Sequence, residues 1–168
     1  MPELGTEEEN PELRDFQRRF WWTLPLTIIV AVLAMVGHRL EILDPPTSTL
    51  AEMALSIPIV WWAGAPFLIR GLQSIVHRSP NMWTLIALGV GAAFLYSVAA
   101  VAAPGFFPDS LKGHGGTVGV YFEAAAVIIC LVLLGQIMEL RAREKTGSAL
   151  RGLLDLSPKT ARRIAADN

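Results

Sequence analysis

Residues 79–108 read SPNMWTLIALGVGAAFLYSVAAVAAPGFFP, thirty consecutive positions without an Asp, Glu, Lys or Arg. A hydrocarbon core of about 30 Å is crossed by around 20 apolar residues in a helix, so this stretch is long enough to span a bilayer. Outward from it the pattern recurs. Phe20 to Gly37 is 18 residues without a charge, Met53 to Ile69 is 17, and Ala124 to Met138 is 15. The 168-residue chain is 52% hydrophobic and 17% charged, whereas soluble domains carry roughly a quarter charged residues. Six of its fifteen acids fall in the first 15 residues, MPELGTEEENPELRD, so the remainder is poorer still in charge. This composition excludes a soluble globular enzyme, a nucleic-acid binder and a disulfide scaffold. The single cysteine, Cys130, excludes a CxxC metal or redox site.

The pattern predicts an all-α membrane protein with four transmembrane helices, at about 20–43, 50–76, 82–103 and 118–140. Helices are required because lipid leaves open strand edges unsatisfied, and the runs lack the polar–apolar alternation of barrel strands. Phe20, Trp21 and Trp22 mark a headgroup boundary, where indole rings concentrate. The second span is expected to kink at Ala63-Gly64-Ala65-Pro66, where proline removes a backbone hydrogen bond. The fourth follows Gly113-His114-Gly115-Gly116 and is expected to extend into the cytosol through Arg141, Arg143, Glu144 and Lys145. Three regions result: an acidic tail and interfacial start (1–19), the membrane region (20–140), and a cytosolic extension (141–168). The tail to Asn10 lacks apolar periodicity and is expected to be disordered. A cleavable signal peptide would need a basic leader and a small-residue cleavage site. Here the leader is acidic and Met35-Val36-Gly37-His38 follows, so cleavage is not expected. With both termini inside, twelve basic residues lie on cytosolic segments and two, Arg39 and Lys112, lie outside, as the positive-inside rule asks.

An ionisable residue in a span costs about 2.5–3.5 kcal/mol at mid-membrane on insertion scales, which makes it a functional candidate. Glu123 and Glu139 are two such acids, 16 residues apart on the fourth span, or about 24 Å of helix rise. One is therefore expected near the outer boundary and one near the inner. Glu139 has a competing assignment as the partner of Arg143 one turn on. Antiparallel spans match Met82 in depth with Glu139, and Met35 with Glu123. A thioether beside a carboxylate at each mouth suits a soft monovalent metal, since Cu(+) favours sulfur. Methionine also serves as filler in apolar cores, and Cys130 reads as a small buried apolar residue. Beyond the kink, Arg70, Gln73, His77 and Arg78 are mixed with Leu68, Ile69, Leu72 and Ile75. That is an amphipathic half-helix able to lie along the cytosolic interface, either as a basic platform for a partner or as a span end with snorkelling arginines.

Four stretches carry a family resemblance: Asn81-Met82-Trp83-Thr84-Leu85-Ile86-Ala87-Leu88-Gly89, Val120 to Ile128 (VYFEAAAVI), Leu133 to Gly147 (LLGQIMELRAREKTG) and Asn10 to Phe16 (NPELRDF). Together they resemble the N-terminal membrane portion of bacterial copper-exporting P-type ATPases, of the heavy-metal branch. The resemblance implies Cu(+) as the transported ion, a bacterial inner-membrane location, and metal contacts at Met82 and Glu139 for uptake and at Glu123 and Met35 for release. It also implies that the kinked helix, with Gly64, Arg70 and Arg78, is a docking platform for a cytosolic copper chaperone. The family's double glycine at the kink is Ala63-Gly64 here. Membrane lipid and the remaining ATPase domains are the other implied partners, with no nucleic acid. ATP and Mg(2+) would bind only in the full-length parent.

Glu144-Lys145-Thr146-Gly147-Ser148 echoes the family's DKTGT phosphorylation loop. Its acid is glutamate, it directly follows a span and no strand precedes it, so it is expected to be helical and not a phosphoacceptor. The family's CPC motif, actuator and nucleotide domain would lie beyond Asn168, and residues 159–164 resemble the first strand of the actuator. The chain alone is expected not to hydrolyse ATP. Two rival readings are a non-enzymatic membrane adaptor derived from such a pump, and the same portion of a Zn(2+) or Co(2+) pump.

Overall fold

The four charge-poor runs build helices packed side by side in a computed structural model that describes residues 10–40, 45–112 and 118–155. Helix α1 spans Pro11–Leu40 and α2 spans Pro45–Pro58. After a π-helical turn at Ile59–Ala63 comes α3, Ala65–Val76. Helices α4, Met82–Ala102, and α5, Phe122–Asp155, complete the bundle. Two short 3₁₀ turns lie between α4 and α5. No strand occurs among the described residues, only an isolated bridge between Lys112 and Val118. The expected disordered tail before Asn10 and the expected actuator strand lie outside the described residues.

Among the described residues three helices are long and apolar enough to cross a membrane: α1, α4 and α5. Thr47–Ala63 and Ala65–Val76 meet that test only together, and they are bent by 62° at Gly64. The helices begin and end a few residues from the expected limits. The first starts at Pro11, not Phe20, because Asn10 caps it: the Asn10 Oδ1 accepts from the Glu12 N–H at 3.1 Å. The last starts at Phe122, four residues beyond Val118, and runs without a break through Glu144-Lys145-Thr146-Gly147-Ser148. The DKTGT echo is helix, with the Thr146 hydroxyl donating to the Ala142 carbonyl at 3.0 Å.

Helix α4 starts where it does because Asn81 and Thr84 form a reciprocal cap. Asn81 Oδ1 accepts from the N–H groups of Trp83 (3.0 Å) and Thr84 (3.4 Å), and the Asn81 N–H donates to Thr84 Oγ1 at 2.9 Å. Ser74 on α3 shares a short hydrogen bond with the same Thr84 hydroxyl, which ties the end of α3 to the start of α4. The two helices approach closely at Gly71, where an added Cβ would lie 2.4 Å from the Ala87 Cβ and 2.6 Å from the Trp83 carbonyl oxygen.

The core follows α5. Phe122, Ala125, Ala126, Ile129, Leu133 and Ile137 recur at three- and four-residue spacing and are buried, the period of one helix face. They meet Phe16 and Val30 of α1, Ile59, Val60 and Ala63 of the π turn, Phe67 of α3, and Val90 and Phe94 of α4. Much of the outer surface is apolar, with Trp21, Leu85 and Leu88 each more than 60% exposed, as expected of helices whose surroundings are hydrocarbon or further helices.

Candidate functional site

The helix order places the candidate residues at two ends of the bundle. Asn10, Val76, Asn81 and Glu139 mark one end, and Leu40, Pro45, Ala102 and Phe122 mark the other. At the first end Met82 is the first residue of α4 and is 56% exposed. Glu139 is exposed on α5 and its hydrogen bonds stay on its own helix, from Gln136 Nε2 at 3.0 Å and Arg143 Nη2 at 2.6 Å. The competing partner named by spacing is therefore engaged with it. Met82 and Glu139 are each exposed.

At the other end, Glu123 is the second residue of α5 and half-buried. Met35 lies near the end of α1 and is 73% exposed. Among the described residues no group of three or more His, Cys, Asp or Glu is arranged to hold a metal ion.

The bend between α2 and α3 has a local cause. Pro66 lacks the N–H that would reach the Trp62 carbonyl in a continuous helix. Arg19 of α1 supplies the missing donor: its Nη1 donates to the Trp62 oxygen and its guanidinium lies 5.2 Å from the centre of the Trp62 ring. Asp15 holds Arg19 from the other side, at 2.8 Å. Gly64 carries the turn because a Cβ there would lie 2.5 Å from the Val60 carbonyl oxygen and 2.8 Å from Ile129 Cδ1. One glycine makes this bend.

Of the two platform arginines, Arg70 is not a free surface cation. It is ion-paired to Glu12, and its guanidinium lies 5.8 Å from the Phe16 ring and 5.3 Å from the Trp83 ring. Those rings flank Phe67 in a stack with centroid separations of 5.7 and 5.4 Å. Arg70 thus clamps α1, α3 and α4 together. Arg78 is exposed and takes a positive φ of 51°. It is the left-handed residue of a Schellman C-cap: its N–H donates to the Ile75 carbonyl and the Ser79 N–H to the Ser74 carbonyl, both at 3.0 Å.

One acid escaped the sequence reading. Glu52, on α2, is 1% exposed and neither of its oxygens has a hydrogen-bond partner. It lies seven residues inside α2, just before the charge-free Met53 to Ile69 run. The available signal was Ser48-Glu52-Ser56, three polar residues at helical spacing, all buried.

No protein-family model matches the chain. It is 56% identical, over 96% of its residues, to a copper-transporting P-type ATPase of Rhizobium leguminosarum bv. viciae. It is 50% identical over 99% to a copper-exporting P-type ATPase of Legionella pneumophila, and 49% identical over 94% to a silver exporting P-type ATPase of Salmonella typhimurium. It spans only 20%, 23% and 20% of these relatives' own lengths. Over nearly its whole length, then, the chain is homologous to a stretch of the copper-exporting P-type ATPases.

Proposed function

We propose that the chain is the N-terminal membrane portion of a Cu(+)-exporting P-type ATPase. In this reading it crosses the membrane four times, the bent pair α2–α3 counting as one span, with both termini in the cytosol. The identity to copper and silver exporters over nearly every residue carries the proposal. The twelve-to-two distribution of basic residues supports the orientation. It puts Met82, Glu139, Arg70 and Arg78 at the cytosolic face, and Met35 and Glu123 at the outer face.

Cu(+) would be admitted beside Met82 and Glu139 and released past Glu123 and Met35. A thioether and a carboxylate hold a soft ion more weakly than paired thiolates, which suits residues that must hand the ion on. The Arg143 pairing is no obstacle to this role. An exposed i,i+4 ion pair is worth about 0.3–0.5 kcal/mol, so an arriving cation can displace the guanidinium. Met82→Ala or Glu139→Ala in the full-length parent should reduce copper-stimulated ATP turnover at limiting Cu(+), while Arg143→Ala should leave it intact. Loss in Arg143→Ala equal to that in Glu139→Ala would make Glu139 a structural partner only.

The docking role falls to Arg78 more than to Arg70, whose charge is already engaged by Glu12. A non-glycine residue in the left-handed region carries a conformational cost, and such outliers concentrate at functional positions. A chaperone with an acidic face would meet Arg78 and His77 at the cytosolic end of α3. Rim charges of this kind govern encounter rate and salt dependence. Arg78→Glu should slow chaperone-dependent loading and spare loading by free Cu(+), and equal chaperone-dependent rates would count against the platform.

A further inference from the structure

Helices α3 and α4 are held together at Gly71 against Ala87 and at Ser74 against Thr84. Beside that contact lies an apolar recess of about 620 Å³, within the roughly 300–1,000 Å³ of ligand pockets. Its walls include Trp61 of the π turn, Leu68 and Leu72 of α3, and Leu88 and Leu95 of α4. Gly91 lies between the last two and supplies no side chain. A Cβ added there would meet nothing within 4 Å, so the recess is open at that point. No charged residue lines it.

The recess leads to a cationic step. Ile75 lines it, and the Ile75 carbonyl accepts from the Arg78 N–H at 3.0 Å. Residues 53–108 contain no Asp or Glu, and the basic residues of that stretch are Arg70, His77 and Arg78. Arg70 is engaged by Glu12. His77 and Arg78 are exposed, and Arg78 has no ion pair among the described residues. An apolar channel beside an unmatched guanidinium complements an amphiphile with an anionic head. A guanidinium binds phosphate oxygens through paired N–H donors, and basic residues at the ends of membrane helices attract anionic headgroups. A further transmembrane helix would fill the recess and leave Arg78 without its counter-charge.

We propose that the α3–α4 recess is a binding site for one anionic phospholipid. An acyl chain lies along Trp61, Leu72, Leu88 and Gly91, and the headgroup phosphate pairs with Arg78. The site rests on the membrane reading of α3 and α4 and on no part of the copper path. It shares Arg78 with the chaperone platform, and neither chaperone nor copper enters its test.

The chain is reconstituted in vesicles of equimolar phosphatidylglycerol and phosphatidylcholine with matched acyl chains. It is then extracted in mild detergent, and the retained lipid is counted by native mass spectrometry. The wild type should keep one phosphatidylglycerol in preference to phosphatidylcholine. Gly91→Leu places bulk in the recess and should abolish retention, whereas Gly89→Leu adds the same bulk outside the recess and should retain the lipid. Arg78→Gln should lower the preference about fivefold, the effect of one basic residue near an anionic surface, and Arg78→Lys should keep it. The full-length parent should retain the same lipid. Equal retention of the two lipids by the wild type, retention in Gly91→Leu, or an unchanged preference in Arg78→Gln would each overturn the proposal. So would loss of the lipid in the parent, which would give the recess to another of its helices. Labelling at Ser79 and Phe106 reads the crossing separately, so a correct labelling pattern without retained lipid sinks this site alone.

Discussion

At the scale of single residues, three positions separate contact from mere composition. Gly71 and Gly89 look alike in sequence, yet only Gly71 has a neighbouring helix where its Cβ would go, the other having nothing within 4 Å. Gly71→Ala should therefore destabilise the bundle by about 1–3 kcal/mol, the usual range for overpacking. Gly89→Ala should be neutral or slightly stabilising, because alanine is the better helix former. Thermal unfolding of both variants in the same detergent decides it. Arg70 joins Glu12, Phe16 and Trp83. A double-mutant cycle between Glu12→Gln and Arg70→Gln should return a coupling of about 0.2–1 kcal/mol, the range for partly exposed ion pairs. Arg70→Gln alone should cost more, since it also forfeits cation–π contacts worth roughly 0.5–1 kcal/mol each. Arg78→Gly should stabilise the chain by about 1 kcal/mol, because glycine holds the left-handed conformation without steric penalty. Unchanged or lower stability would mean that the Arg78 side chain has contacts that outweigh its backbone.

At the scale of elements, the bend between α2 and α3 is a proline defect repaired from another helix. Trp62 is left without its own-helix donor by Pro66, and Arg19 of α1 supplies one. A hydrogen bond of this kind contributes about 0.5–1.5 kcal/mol net. Arg19→Ala should destabilise by that order in the wild-type background. In a Pro66→Ala background the restored N–H can serve Trp62, so the same substitution should have much less effect, and the 62° angle should narrow. Spin labels placed on either side of Gly64 would read the angle, and equal Arg19→Ala penalties in both backgrounds would refute the repair. Beyond the bend, α3 is helical from Ala65 to Val76. Phe67, Gly71 and Ser74 face inward, with Ile69, Leu72 and Ile75 outward.

At the scale of the whole molecule, the proposed four-crossing topology makes a labelling prediction. In a Cys130→Ala background, cysteine introduced at Phe106, 92% exposed between α4 and α5, should react with impermeant reagents from outside the cell. Cysteine at Ser79, exposed between α3 and α4, should react only from the cytosol. Reversal of the two patterns would invert the bundle and with it the assignment of Met82 and Glu139 to uptake.

Charge-free runs of 15 to 30 residues determined by themselves that the chain is helical and apolar enough for a membrane, because lipid leaves a backbone few ways to satisfy its polar groups. The run Asn81 to Gly89 and its companion motifs determined the family resemblance. Spacing along α5 also placed Glu123 and Glu139 at opposite levels, since rise per residue is fixed by helix geometry. Partnerships across helices were not legible. That Arg70 is clamped by Glu12, that Arg19 serves Trp62, and that Glu52 is buried unpartnered depend on helix rotation and axial offset. Those are set by close contacts such as Gly71 against Ala87 and Gly64 against Ile129. Hydropathy reports whether a residue can enter a membrane helix, and only the tertiary arrangement decides which face of that helix is turned to another.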